Sequence, residues 1–162
     1  MLKSWSSWLE KTPLSHAIQD AGWVIPACQI VHILCLALVL SAIVFVDVRL
    51  LGLGPRRVSA ATVAKRFMPQ VWGGVALMAF TGSILVIAEP GRDLTNLVFQ
   101  TKMALLVAAL VTSLGIQHGL NTNPDTWGGA RSGWPARGAA LLSLGLWITI
   151  AVCGRFIAYF MG

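Results

Sequence analysis

Apolar residues in this chain come in long unbroken runs, not in the alternating or 3.6-residue patterns of half-buried soluble elements. Four runs stand out, at Val24 to Val46, Val71 to Ala88, Leu97 to Ile116 and Gly138 to Phe160. Each comes close to or exceeds the roughly 20 helical residues that cross a hydrocarbon layer. A lipid-immersed backbone must satisfy its amides within its own segment, so each run predicts a transmembrane helix. Turn-forming residues separate them: Gly52-Leu53-Gly54-Pro55, then Glu89-Pro90-Gly91, then Asn121-Thr122-Asn123-Pro124-Asp125. The pattern predicts an all-α membrane protein, a four-transmembrane-helix bundle that makes residues 1–162 a single integral membrane domain.

The first 22 residues differ, because they lack the apolar stretch of a cleavable signal and mix tryptophan with polar side chains. Trp5, Trp8 and Leu9 fall at helical spacing, with Ser7 and Glu10 spaced as a capping box, which predicts an amphipathic segment at the headgroups. Thr12 before Pro13 reads as an N-cap before an N1 proline and starts a second short helix, Pro13 to Ala21, that Gly22 ends.

Composition agrees with the pattern: 56% of residues are hydrophobic and 11% charged, far from the balance of a soluble domain. The net charge of +6 would suit nucleic acid if the cations formed a patch, but they gather in loops. Arg49, Arg56, Arg57, Lys65 and Arg66 surround the first connection and Arg131 and Arg137 the third, against Lys3, Lys11 and Arg92 on the other side. The positive-inside tendency puts the first and third connections in the cytoplasm and both termini outside. Asp47 and Arg49 read as an interfacial charge pair closing the first span. Cys28, Cys35 and Cys153 all fall within spans and imply no disulfide framework.

Ionisable residues within a bilayer are costly, which makes His32, Lys102 and Arg155 the candidate functional residues. Counted from the outer ends of their spans, His32 is roughly 12 Å deep, and Lys102 and Arg155 roughly 7 Å, so all three occupy the outer half. Two cations on different helices near a histidine suit an anionic ligand such as a carboxylate pair. The structural alternatives are snorkelling of the two long cations and a histidine that only bonds a neighbouring backbone. His118 falls at the far end of the third span, roughly 24 Å of helix from the Lys102 level, too distant to share a metal with His32. His16, on the second short helix, could fold over His32, with a solvent-facing position as its alternative.

A second chemistry comes from Cys28, His32 and Cys35 at i, i+4 and i+7, with Met78 and Met103 on other spans. Soft sulfur and imidazole ligands select copper(I), although Cys and Met are also ordinary apolar filling. Small residues recur where helices could approach closely, including Gly73, Gly74, Gly115 and Gly119. No nucleophile elbow, phosphate loop, HExxH or CxxC occurs, so hydrolytic chemistry has no support.

The stretches Gln29-Ile30-Val31-His32-Ile33-Leu34, Asp47-Val48-Arg49-Leu50 and Gln100-Thr101-Lys102-Met103-Ala104-Leu105-Leu106 resemble the compact four-helix membrane families around CopD copper-resistance proteins and HemJ-type protoporphyrinogen oxidases. Gly154-Arg155-Phe156-Ile157-Ala158-Tyr159 is similar to the ending of an uncharacterised bacterial family in that group. The resemblance implies haem b, a bacterial inner-membrane location, and roles for a first-span histidine and a later-span lysine at the positions of His32 and Lys102. It does not carry the oxidase reaction, since Leu51-Gly52 replaces the aromatic and histidine residues that follow in HemJ.

Residues and resemblance together lead to a membrane-embedded haem b protein that passes electrons, an oxidoreductase subunit or carrier. His32 would be an axial iron ligand, Lys102 and Arg155 the propionate partners, with ligation or assistance as the alternative for Lys102, and His16 or a residue from a partner chain the source of the other axial ligand. Quinone or a redox protein would be the partner. The alternatives are copper(I) binding or passage and a cofactor-free membrane anchor.

Overall fold

Among residues 2–53, 58–128 and 133–157, which the computed structural model describes, the chain forms helices and no strand. In order these are α1 (Leu2–Glu10), α2 (Pro13–Asp20), α3 (Val24–Leu50), α4 (Ala60–Ala88), α5 (Pro90–Leu94), α6 (Leu97–Thr122), α7 (Pro124–Gly128) and α8 (Trp134–Phe156). The four long helices α3, α4, α6 and α8 are each long and apolar enough to span a membrane. Arg56, Arg57 and Arg131, on which the charge bias partly rests, fall outside the described residues, as do Gly54-Pro55 and the end of the fourth expected span at 158–160.

Local chemistry explains the boundaries. Thr12 accepts from the Ser15 amide at 3.3 Å and Pro13 takes the first helical position, so α2 begins where an N-cap followed by proline requires. α1, in contrast, continues through Ser7, which is therefore not a cap. α4 starts at Ala60, not Val71, because Ser59 caps it by accepting from the Thr62 amide at 3.1 Å. Pro69 sits inside that helix, while Lys65 and Arg66 stay exposed beside the buried Ala64 and Met68. At the end of α3 the expected Asp47–Arg49 pair is absent. Both side chains are buried, and Arg49 Nε donates instead to the Val58 carbonyl at 2.5 Å.

The bundle packs most extensively between α3 and α4, between α6 and α8, and between α3 and α8, with a lighter α4–α6 contact. Val39, Ile43, Val46, Val71, Ile116 and Trp147 form its centre. Gly74 brings α4 close to α3, since a Cβ there would lie 2.5 Å from Val39 Cγ2. Trp72 donates its indole N–H to Gln117 Oε1 at 2.8 Å, tying α4 to α6. Trp72→Phe should lower stability by about 1 kcal/mol, the scale of an interhelical hydrogen bond, in thermal unfolding of the detergent-solubilised chain.

Large apolar side chains also face outward on every long helix: Ile33 and Leu34 on α3, Phe80 on α4, Val107 and Val111 on α6, Leu141 and Ile148 on α8. A soluble surface does not expose such a continuous apolar girdle, whereas lipid solvates it. The chain is a multi-pass membrane protein built as a helical bundle. α1 and α2 lie across the α4–α5 end, where Gln19 donates to the Ala88 carbonyl at 2.7 Å. Trp5, Trp8 and Trp23 are exposed there, as interfacial tryptophans are.

Candidate functional site

A cavity of about 560 Å³ opens at the end of the bundle where α5 joins α4 to α6, within the roughly 300–1,000 Å³ of small-molecule sites. His32 from α3, Lys102 from α6 and Arg155 from α8 all line it. Three long helices thus direct the three ionisable side chains expected within the spans into one space. His32 is half-buried in the wall. Arg155 belongs to the last turn of α8, nearer the mouth than the expected five residues from the helix end, because the described helix stops at Phe156.

Thr81 orients His32. Its hydroxyl carries a single proton and has backbone acceptors on its own helix within reach, Leu77 O at 2.9 Å and Met78 O at 3.3 Å. With that proton on the backbone acceptor, the 2.9 Å contact between His32 Nδ1 and Thr81 Oγ1 is a donation from the imidazole. In the neutral ring this leaves Nε2 unprotonated, with its lone pair free to bind a ligand. Gly82 follows Thr81, and a Cβ there would lie 3.4 Å from His32 Cε1, so a side chain at 82 would press on the ring edge. Across the cavity the Lys102 ammonium lies over Gly154, whose missing Cβ would stand 3.7 Å from Nζ.

The remaining polar wall comes from Gln29 on α3 and from the short connection after α4. Arg92 forms an ion pair with Glu89, and Asp93 faces the cavity beside them. Burial holds the Asp93 carboxyl above its ordinary range; the Arg92 cation pulls it back, Glu89 pushes it further up, and Lys102 pulls it down. Ile25, Leu36 and Phe99 supply apolar surface, so the space pairs an apolar interior with a charged mouth.

Other sequence candidates lie elsewhere. His16 is exposed on α2 and does not line the cavity: the side of α2 that packs inward carries Ser15, and His16 projects about 100° away from it. His118 is exposed near the far end of α6. The copper(I) set is dispersed. Ile25, Gln29, His32 and Leu36 form the cavity face of α3, leaving Cys28 and Cys35 outside the lining, while Met78 is in the core and Met103 is 43% exposed. Among the described residues no three His, Cys, Asp or Glu side chains gather as a metal site. Thr81, Gly82, Arg92 and Asp93 escape sequence reading, and only the Glu89-Pro90-Gly91 turn hinted that polar residues would close this end.

Fold and site together define a class: multi-pass helical membrane proteins with a cation-lined cavity at one end of the bundle. No family model, curated protein or solved structure matches the chain.

Proposed function

We propose that the cavity binds haem b and that the protein is a membrane-embedded electron carrier or redox subunit. The observation that supports this best is the pairing of His32, held by Thr81 with Nε2 left as a lone-pair donor, with Lys102 and Arg155 on the same cavity. A hydrogen bond to the non-ligating nitrogen is how a metal-bound histidine is usually held in orientation. The donor set fits the group: one imidazole for iron, two cations for two propionates, and glycines at 82 and 154 that leave room for a flat ring. When bound, haem would supply one-electron redox chemistry. The chain's own part is to hold it, neutralise its carboxylates and keep lipid and water away.

Lys102, which lines the cavity, is an alternative second ligand through its amine, and a partner chain is the other source. The family relationship to CopD and HemJ-type proteins, a bacterial inner-membrane location with both termini outward, and quinone as partner belong to the same proposal. The copper(I) reading has less support, because its sulfur ligands do not line the cavity. An absorption spectrum of protein made with ample haem tests the reading. A Soret band and a reduced alpha band are expected; a colourless preparation under those conditions would refute it.

Asp93 gives the site a pH dependence. Its carboxyl is held above the ordinary range, so the folded chain keeps that proton longer than the unfolded chain does. The resulting stability is present below the ordinary aspartate range and is lost as pH rises through the raised value. The same ionisation puts a negative charge beside Lys102, so affinity for a dicarboxylate porphyrin should weaken over that interval. Asp93→Asn should bind more tightly at alkaline pH and flatten the profile in a porphyrin titration; an unchanged profile would remove Asp93 from the site.

A further inference from the structure

The opposite half of the bundle holds a second group of polar atoms, in a place where the sequence suggested only a surface charge pair. Both carboxylate oxygens of Asp47, the Ser113 and Ser143 hydroxyls, the Trp147 indole N–H and Arg137 Nε are buried, and none has a hydrogen-bond partner among the described residues. Asp47, Ser113, Ser143 and Trp147 are each at most 1% exposed. They come from three different long helices, α3, α6 and α8.

Helix register brings them together. Lys102 on α6 lies over Gly154 on α8, and the two helices run antiparallel with equal rise. Moving 11 residues along each, from 102 to 113 and from 154 back to 143, brings Ser113 to within about one helical turn of the level of Ser143. On the other side of α8, Ser143 lies beside the Asp47 carboxyl, just outside direct hydrogen-bond geometry. Arg137 approaches Gly52, where its guanidinium would be 3.4 Å from an added Cβ, and so marks the end of α3 one level further out. Trp147 is one turn from Ser143 toward the cavity, and Ala151 and Gly154 continue that side of α8 into the cavity wall.

Each buried polar group left without a partner costs about 1–3 kcal/mol, and an unpaired buried charge costs more. A cluster of this size is stable only if something small satisfies it. Ordered water suits it, since a buried water needs 2–4 polar partners and these side chains offer both donors and acceptors. A metal ion suits it less, because the Trp147 indole and Arg137 present only donor hydrogens. We propose that these residues enclose a short file of water through which Asp47 binds and releases a proton drawn from the Arg137 end of the bundle.

The step is proton transfer alone. A hydronium ion at the aqueous end loses one O–H bond, one forms on an Asp47 carboxylate oxygen, and no electrons move. The charged and titratable groups around Asp47 are few. Arg49 is on its own helix and Arg137 on α8; on α4 the corresponding level carries Arg66, which is exposed, and on α6 the nearest titratable group is the exposed His118. The cluster is roughly 22 Å along α3 from His32, so it stands whether or not the cavity binds haem.

Infrared difference spectra between acid and alkaline buffers test this on the detergent-solubilised full chain without added cofactor. The sequence has only 6 carboxylic side chains, which makes assignment practical. A carbonyl-stretch band of a poorly solvated carboxylic acid is expected, absent in Asp47→Asn and displaced in Ser143→Ala. It should also shift to lower frequency in heavy water, because the file admits exchange. An Asp47→Asn spectrum identical to the parent, or a band that stays fixed after long incubation in heavy water, would overturn the proposal. Should Asp47→Asn fail to fold, Ser143→Ala and Ser113→Ala keep the carboxyl in place, and an unmoved band in both would equally overturn it.

Discussion

His32→Ala protein purified after expression with ample haem is expected to show no Soret band, while Thr81→Val protein should keep the band and bind haem about 10–100-fold more weakly. The two variants separate two roles. Alanine removes the only imidazole among the described residues that line the cavity, and with it the nitrogen available to iron. Valine at 81 keeps the shape of threonine but deletes the oxygen that accepts from His32 Nδ1. The ring then loses its fixed tautomer and orientation, and its Nε2 lone pair is present for only part of the time. Free imidazole added to His32→Ala should restore the band by filling the space the side chain leaves. A parental spectrum in His32→Ala would remove the histidine from the site, and equal affinities for Thr81→Val and parent protein would show that Thr81 serves the helix alone.

Gly74→Ala and Gly73→Ala should change stability in opposite directions although they differ by one position on one helix. At Gly74 the new methyl would lie 2.5 Å from Val39 Cγ2, with the Cys35 carbonyl 3.7 Å behind it. Val39 is fully buried and β-branched, so it has no alternative rotamer that clears the space cheaply. The helices must part, and overpacking of this kind costs about 1–3 kcal/mol. At Gly73 nothing lies within 4 Å, so alanine brings only its better helix propensity, worth about 1 kcal/mol in soluble hosts. Thermal unfolding in one detergent would compare them, and Val39→Ala should rescue Gly74→Ala. If Gly73→Ala proved the more damaging of the two, the close α3–α4 approach would be wrong.

The membrane-spanning architecture could be read because lipid imposes a one-dimensional rule. A helix solvated by hydrocarbon is apolar all around, so Val24 to Val46 or Leu97 to Ile116 announces itself with no knowledge of its neighbours. The Thr12-Pro13 start was legible for a similar reason, since capping is settled within a few consecutive residues. Boundaries set by longer-range packing were not. Lys65, Arg66 and Pro69 look like loop, yet Ser59 caps a helix that carries all three, because Ala60, Ala64 and Met68 have a core to enter.

For the site, the chain order of residues determined which side chains are anomalous in lipid, and His32, Lys102 and Arg155 were conspicuous for that reason. Their meeting on one cavity was decided by the pairing of α3 with α4 and α8 and of α6 with α8, which span lengths do not specify. Thr81 gave no signal, because a threonine in an apolar helix ordinarily bonds only its own backbone. Asp47 misled for the converse reason. Two residues before Arg49 in sequence it looks like half of a surface pair, but helical positions two apart diverge by about 200°, and tertiary packing turned its carboxyl inward toward Ser143 while Arg49 went to the Val58 carbonyl. Hydropathy is a property of single residues summed along the chain, whereas a site is a property of faces, and faces acquire partners only when the helices pack.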